Sequence, residues 1–258
     1  MQQVPFTITF LGTGTSSGVP MVACTCAVCS STNGKDKRLR SSLLIQTNTT
    51  TVVIDSTPDF RQQMLTHKVV TLDAIAFTHP HKDHIAGLDD VRGFNFFTKK
   101  NMLLYVNAIT ETRLRREFDY AFEPFDYEGM PLLQFVPITN EPFTIGDITL
   151  TPITVWHYKM PVLGFRIGDF TYITDANKID EAEQLKIHGT KVLVLNALRK
   201  EPHLSHFTLQ QAIDMAVHLK VEQTYFTHIS HQLGKHNDIN NELPPSITLA
   251  YDGLQLQF

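Results

Sequence analysis

His79-Pro80-His81-Lys82-Asp83-His84 places three imidazoles and one carboxylate within six residues. Histidines spaced i, i+2 at a strand end project to the same side, and the chain must then turn before Asp83 and His84 can face back. Mixed imidazole and carboxylate ligands suit a first-row divalent metal such as Zn, Mn or Fe. The apolar run before the motif, Ala74-Ile75-Ala76-Phe77, predicts a buried strand that delivers it. Other candidate ligands follow predicted strands in the same way. Asp55 follows Val52-Val53-Ile54, His157 follows Ile153-Thr154-Val155-Trp156, Asp175 follows Tyr172-Ile173-Thr174, and His228 follows Tyr225-Phe226-Thr227. Strand ends along one rim are where α/β folds assemble their sites. Singly, such an Asp reads as a helix cap and such a His as a surface or core residue; together with the hexapeptide they read as one constellation.

A second cluster is Cys24-x-Cys26-x-x-Cys29, which holds all three cysteines of the chain. The odd number argues against a disulfide framework and for a reducing compartment. Three thiolates fall one short of the four ligands of structural zinc. Pro202-His203-Leu204-Ser205-His206-Phe207-Thr208, just before a predicted helix, offers two imidazoles for proton transfer. Gly12-Thr13-Gly14 lacks the G-K-[ST] ending of a P-loop and reads as a tight turn after the first strand. His67, His188, His218 and His236 fall on predicted helices away from these motifs and read as surface residues.

The elements that must position these groups span 258 residues, 42% of them apolar, which is ample for a core. No apolar run approaches the ~20 residues needed to span a bilayer. The N-terminal stretch Met1-Gln2-Gln3-Val4-Pro5 lacks the pattern of a secretory signal. Net charge is −4 with no long Lys/Arg block, so no broad footprint for nucleic acid is visible. A cytoplasmic globular protein is expected. Phe6–Leu11 predicts a strand, and Leu43–Ile45 with Val52–Ile54 a hairpin. A short helix is expected from Pro58 with Thr57 as its N-cap. A helical stretch follows through Leu88, Val91, Phe94 and Phe97, then a strand near Met102–Val106 and a helix around Thr110–Phe118. Residues 132–173 read as mostly strand. The remainder alternates: helix from Ile179, strand Val192–Leu195, helix Thr208–His218, strand Thr224–Phe226, helix near 231–242, and two closing strands. Strand-rich stretches interleaved with helices in each half predict two sheets with helices packed outside, an α/β four-layer sandwich in one domain.

H-x-H-x-D-H after a buried strand, with an earlier Asp and a later His, Asp and His, resembles the metallo-β-lactamase superfamily over essentially the whole chain. Phe10-Leu11-Gly12-Thr13-Gly14-Thr15-Ser16-Ser17-Gly18-Val19-Pro20, the cysteine cluster and Thr227-His228-Ile229-Ser230-His231 look like its PhnP-type phosphodiesterases. The resemblance implies the αββα sandwich (α+β in the wider sense) and two catalytic divalent metals, Mn, Zn or Fe. One would be held by His79, His81 and His157, and the other by Asp83, His84 and His228, with Asp175 bridging. It also implies that Asp55 orients a ligand histidine and that a metal-bridging hydroxide attacks a small or cyclic phosphodiester. A structural zinc on Cys24, Cys26, Cys29 and His231 would close a loop at about 20–35. His206 would serve as the general acid, with His203 as its alternative or as a contact to substrate phosphate. Arg40, in a segment that recurs in similar chains, is a candidate phosphate anchor beside the reading of a solvated arginine. Similar proteins form dimers, so a homodimer is the expectation by analogy.

Three other activities compete. A tRNase Z-like RNA endonuclease shares the Phe-Leu-Gly-Thr-Gly start and the ligand set, but no extended Gly/Pro-rich basic arm stands out here, and the cysteine cluster is foreign to those enzymes as a rule. A lactonase or thioesterase could use the same hydroxide on a carbonyl. A non-catalytic metal-stabilised binding protein would have no need of an open dimetal centre.

Overall fold

The structure, a computed structural model, describes residues 4–122 and 129–258. Met1–Gln3, part of the N-terminal stretch read for a leader, lie outside the described residues. Among the described residues, fourteen strands form two seven-stranded sheets. The first is built from β1 (Thr7–Gly12), β2 (Ser42–Gln46), β3 (Thr51–Ile54), β4 (Ala74–Ala76), β5 (Met102–Val106), β6 (Leu133–Pro137) and β14 (Gln255–Gln257), in the order β14-β1-β2-β3-β4-β5-β6. The second contains β7 (Phe143–Ile145), β8 (Ile148–His157), β9 (Met160–Ile167), β10 (Phe170–Tyr172), β11 (Val192–Asn196), β12 (Gln223–Thr227) and β13 (Ile247–Leu249), in the order β13-β12-β11-β10-β9-β8-β7. Each sheet is antiparallel along one part and parallel along the other, with β3-β4-β5-β6 and β10-β11-β12-β13 the parallel runs.

Strand alternation sets the layers. Val52 and Ile54 face the second sheet in a core shared with Phe165, Tyr172 and Val194. Val53 points the other way, onto Phe60 and Met64 of α1 (Phe60–Thr66) and Leu114 of α4 (Ala108–Glu117). In the second sheet Leu193 and Leu195 face outward onto Ile187 of α5 (Glu181–Ile187), Ala212 and Ala216 of α6 (Leu209–Leu219), and Ile239 of α7 (His236–Glu242). Both faces of these strands are therefore buried, which is why they read as continuous apolar runs. The expected αββα sandwich is what the chain forms. Two further helices, α2 (Lys82–Ile85) and α3 (Arg92–Thr98), lie in the first half.

Several local expectations are corrected. The first helix starts at Phe60 rather than Pro58, and Thr57 does not cap it. The Thr57 hydroxyl donates to Gln63, and Asp59, at the cap position, spends its carboxylate on Arg40. The helix expected from Ile179 begins at Glu181, because Asp180 is extended and accepts the Trp156 indole N–H. The helix expected near 231 begins at His236, since residues before it turn to bring His231 to the cysteines. The two closing strands belong to different sheets, β13 to the second and β14 to the first, where Phe258 stacks on Phe6 with centroids 4.8 Å apart. His236 is buried rather than at the surface, with Nδ1 3.1 Å from Arg38 Nη2.

Gly12-Thr13-Gly14 is not a tight turn. Gly14 bridges two segments at once, Arg40 on one side and Ile229 on the other. A Cβ on Gly12 would lie 2.0 Å from the Arg40 carbonyl oxygen. The glycines are there because backbones approach too closely for a side chain, and the crossing fixes Thr15 against the His228 segment.

Candidate metal centre and active site

Every strand-end residue singled out from the sequence reaches one rim of the sandwich. Asp55 follows β3, His79 and His81 follow β4, His157 ends β8, Asp175 follows β10, and His228 follows β12. Three of them have left-handed backbone: Asp55 at φ 65°, Asp175 at φ 55° and His228 at φ 56°. That region costs a non-glycine residue about 1–2 kcal/mol, and residues held there cluster at functional sites. The reversal at each strand end sends the chain sharply aside where these polar side chains meet.

Hydrogen bonds fix the imidazoles from behind. The Asp55 carboxylate is fully buried and lies 2.7 Å from His84 Nδ1. It also accepts from the Thr78 amide and the Thr78 hydroxyl, both at 2.8 Å. The Thr78 oxygen is 2.9 Å from His79 Nδ1, so one carboxylate steers His84 directly and His79 through a hydroxyl. His157 Nδ1 meets the carbonyls of Asp175 and Ser205, each at 3.0 Å. The Thr15 hydroxyl holds His228 Nε2 at 3.2 Å. In each case one ring nitrogen is engaged and the other is left for the site.

Those free nitrogens fit a cation. His84 Nε2 lies 3.2 Å from both Asp83 Oδ2 and Asp175 Oδ2, yet makes an aligned hydrogen bond to neither. His228 Nδ1, 3.2 Å from Asp175 Oδ2, and His206 Nδ1 are also buried without a hydrogen-bond partner among the described residues. Asp83, His84, Asp175 and His228 each bring a ligand atom within 4.8 Å of one another, as do His157, Asp175 and His206. His79 Nε2 and His81 Nδ1 are 3.1 Å apart, close to the ~3.3 Å edge of a tetrahedron with Zn–N bonds of about 2.0–2.1 Å. The His157 ring stands 5.0 Å from His81 and 5.8 Å from His79. Asp175 belongs to both four- and three-membered groupings, which is the placement a shared ligand needs.

Charge within the cluster is polarised. Burial works against a charge on His84, but Asp83, Asp175 and Asp55 outweigh it and hold its pKa well above the ordinary value. Asp175 is held well below the usual carboxylate range, because His228 and His84 overcome its desolvation. Burial pushes His79 well down and His206 down to about 3. Without metal, the site thus keeps a proton on His84, between the carboxylates where a cation would sit.

The cluster forms one wall of a cavity of about 770 Å³ lined by His81, Asp83, His157, Asp175, His206 and His228. His206 is buried, with its ring 4.6 Å from His157 and 4.9 Å from His228, and its Nδ1 is 3.7 Å from Asp175. His203 is exposed, with its centroid 5.0 Å from His206 and outside the lining. Arg40 does not reach the cavity wall. Its guanidinium pairs with Asp59 at 3.0 Å and donates to the Ser16 carbonyl at 3.1 Å, so it braces the loop that carries Ser16 into the lining.

Another part of the lining was missed from the sequence. Ile109, Thr112, Arg113 and Arg116 of α4 line it, with Lys82 beside Asp83. Their i, i+3, i+4, i+7 spacing was readable as one helix face, but nothing in the sequence said what that face would meet.

The cysteines close on the same segment. Cys24 Sγ and Cys26 Sγ lie 3.4 Å and 3.3 Å from His231 Nδ1. With Cys29 the four form a ligand-competent group. Hydrogen bonds from the Cys29 amide and His231 lower the Cys26 thiol to about 6. Burial raises Cys29 to about 11, and deprotonating it requires a cation. The donor set, four converging atoms of soft and imidazole type, fits a closed zinc site.

Comparison with known proteins agrees with this geometry. The sequence profile of the β-lactamase superfamily domain matches residues 50–229, more than two thirds of the chain. A crystal structure described as a new diphosphatase from the PhnP family is 41% identical and superposes with a TM-score of 0.92 over 98% of both chains. Zn(II)-bound PqqB from Methylobacterium extorquens shares the fold at 18% identity and a TM-score of 0.79, covering 97% of this chain and 99% of that one. The short form of human tRNase Z shares it at 15% identity and a TM-score of 0.67, covering 97% and 98%. An octanoyltransferase from Porphyromonas gingivalis (strain ATCC BAA-308 / W83) is 38% identical over 248 residues. That match takes in 95% of this chain and 50% of the other, so the chain spans about half the length of that relative. Among the described residues no helix is long and apolar enough to cross a membrane. This chain belongs to the metallo-β-lactamase superfamily, as a PhnP-like protein whose fold implies divalent-metal binding.

Proposed function

We propose that the chain is a metal-dependent phosphodiesterase acting on small or cyclic phosphodiesters. The observation that carries the reading is a cavity in which two ligand groupings meet at Asp175, with the His206 ring edge-on to His157 and stacked on His228. The likeness to a PhnP-family diphosphatase, at 41% identity across nearly all of both chains, supports the phosphoryl chemistry. In this reading His79, His81 and His157 hold one divalent cation, Asp83, His84 and His228 a second, and Asp175 serves both. Cations there supply positive charge for a phosphoryl oxygen and acidify a water.

The residues themselves do the rest. Burial disfavours the charge on Asp83, but His84 outweighs it and keeps the carboxyl below its usual range, so it stays ionised at the cavity wall. Asp55 holds the His84 ring by its Nδ1 and leaves Nε2 facing the site. His206 is neutral in the free protein because burial pushes it down to about 3. A phosphate anion entering beside its ring favours the charged form, so the ring takes a proton from solvent as substrate binds, and its role as proton donor to a leaving alkoxide is confined to the substrate complex. Cys24, Cys26, Cys29 and His231 hold a structural zinc that ties the N-terminal loop to the His228 segment. The partner in this reading is a small phosphorylated substrate rather than nucleic acid or a membrane.

The test compares substrates on the metal-loaded protein: cyclic ribose phosphates, linear diesters, a lactone, precursor tRNA and an octanoyl thioester, the last because of the name carried by the longer relative. Turnover confined to the diesters supports the reading, and turnover confined to the thioester or lactone overturns it. His206→Ala is expected to lose at least tenfold more rate on an alkyl diester than on bis(p-nitrophenyl) phosphate, whose leaving group needs no proton. Equal losses on both would remove His206 from the acid role.

A further inference from the structure

The His206 side chain makes no hydrogen bond among the described residues, and its Nδ1 is buried. Its place in the cavity is therefore set by the backbone on either side, and that backbone is pinned to the segments that carry candidate ligands. The Ser205 carbonyl, just before it, accepts from His157 Nδ1 at 3.0 Å. The Phe207 amide, just after it, donates to the Ala176 carbonyl at 2.7 Å. The Leu204 carbonyl accepts from Asn177 Nδ2 at 3.0 Å. Ala176 is clasped in turn by the buried Asn196 carboxamide, which accepts from its amide at 2.7 Å and donates to its carbonyl at 2.9 Å.

Asn177 differs from the other anchors in joining three segments through one residue. Its Oδ1 accepts the Tyr158 amide at 2.9 Å, and its own amide donates to the Trp156 carbonyl at 2.8 Å. An N–H on one side and a carbonyl on the other fix which way the carboxamide points. Trp156 and Tyr158 flank His157, so Asn177 brackets that imidazole while it holds the His206 loop. Tyr158 sits at φ 57°, a conformation that a bulky residue keeps only where its neighbours over-determine it.

We propose that Asn177 is a positioning residue for proton donation. It holds the His206 loop against the His157 and Asp175 segments, so the residues that carry the ligands also place the proton donor. The inference rests on the phosphodiesterase reading for the role of His206, and goes beyond it in naming what aims the ring. In Asn177→Ala the Leu204 carbonyl is released to water, and the loop keeps only its Ser205 and Phe207 anchors. A ring without a hydrogen bond of its own then loses alignment with the leaving oxygen, and proton transfer depends steeply on that alignment.

The experiment uses the metal-loaded full chain with a ribose 2′,3′-cyclic phosphate, whose leaving alkoxide needs a proton, and bis(p-nitrophenyl) phosphate, whose leaving group does not. Asn177→Ala is expected to lose about five- to tenfold more kcat on the cyclic ester, the factor that one neutral hydrogen bond corresponds to. Calorimetric metal affinity is expected to stay at the wild-type value. Asn177→Asp keeps the acceptor for Tyr158 and removes the donor to Leu204, so it is expected to match the alanine variant. In a His206→Ala background, Asn177→Ala is expected to change neither rate further. Equal losses on both esters, a wild-type ratio in Asn177→Asp, or an added loss in the His206→Ala background would each overturn the assignment. If the wild type turns over neither ester, the phosphodiesterase reading fails on its own account, and amide hydrogen exchange decides what Asn177 holds. Faster exchange in Asn177→Ala at the Phe207 amide, with the β11 amides unchanged, supports the positioning role. No change at Phe207, or a uniform change along the chain, sinks it.

Discussion

Replacing Asp55 by Asn tests the proposed metal centre without touching a proposed ligand. The carboxylate accepts three hydrogen bonds, from His84 Nδ1 at 2.7 Å and from the Thr78 amide and hydroxyl at 2.8 Å. An asparagine oxygen can keep the Thr78 amide, but its NH₂ then faces the His84 N–H and the Thr78 hydroxyl, donor against donor. When the His84 imidazolium of the metal-free site gives up one proton, as a ligand must, the ring then keeps the other on Nε2, the nitrogen that faces Asp83 and Asp175. A protonated Nε2 is not a ligand, and each charge-assisted bond lost is worth about 1.5–3 kcal/mol. Carried into metal binding through the His84 bond alone, this gives a loss of roughly 10- to 150-fold. That overlaps the about 10- to 100-fold cost of removing carboxylates that orient metal-bound histidines. The metal held by His84 is expected to weaken most, and the one held by His79 less, because Thr78 stands between Asp55 and that ring. Calorimetric titration of chelated Asp55→Asn with Mn or Zn measures both, with circular dichroism as the check on folding. Wild-type affinity at both sites in a folded variant would refute the reasoning.

Two further outcomes follow from the charges. In chelated protein, the neutral buried His206 and His236, pushed by burial to about 3 and about 4, favour the fold more as pH rises towards the unfolded value near 6.5. His84 has the opposite sign: its raised pKa stabilises fully below about 6.5 and is lost as pH climbs through the folded value. Thermal unfolding with chelator is expected to peak near pH 6–7, and metal addition is expected to shift the optimum upward because the cation replaces the His84 proton. A stability that rises steadily through pH 9 without metal would contradict the His84 assignment. Cys26→Ser or His231→Ala is expected to lower bound zinc by one equivalent and to destabilise the fold by several kcal/mol, since structural zinc sites contribute folding energy directly. Zinc content and a chemical denaturation curve check both, and unchanged zinc would remove the cluster from the metal inventory.

Much of the site was legible because its residues obey a strand-end rule. A run such as Val52-Val53-Ile54 says that a strand ends there, and the polar residue after it is left at the rim. That places Asp55, His157, Asp175 and His228 without knowing which strand neighbours which. The helix and strand periods also gave the four layers, and the misplaced helix starts at Pro58, Ile179 and 231 share one cause. In each, a side chain or segment that should cap or continue a helix is diverted to a distant partner: Asp59 to Arg40, Asp180 to Trp156, and His231 to the cysteines.

His236 was unreadable for a similar reason. Its burial depends on Arg38, a residue 198 positions away. The glycines of Gly12-Thr13-Gly14 looked like a turn because sequence shows flexibility, whereas the close crossing with Arg40 and Ile229 is a property of three chain segments at once. The sequence alone determined the candidate ligand types, the strand ends that carry them and the layered architecture, because local periodicity and covalent order suffice for these. Tertiary structure alone decided that Asp55 governs two imidazoles, that left-handed turns shape three strand ends, that Arg40 pairs with Asp59 and braces the Ser16 loop, and that α4 brings arginines into the cavity lining. Each of these is a distance between residues far apart in the chain, and only the packed sheets set such distances.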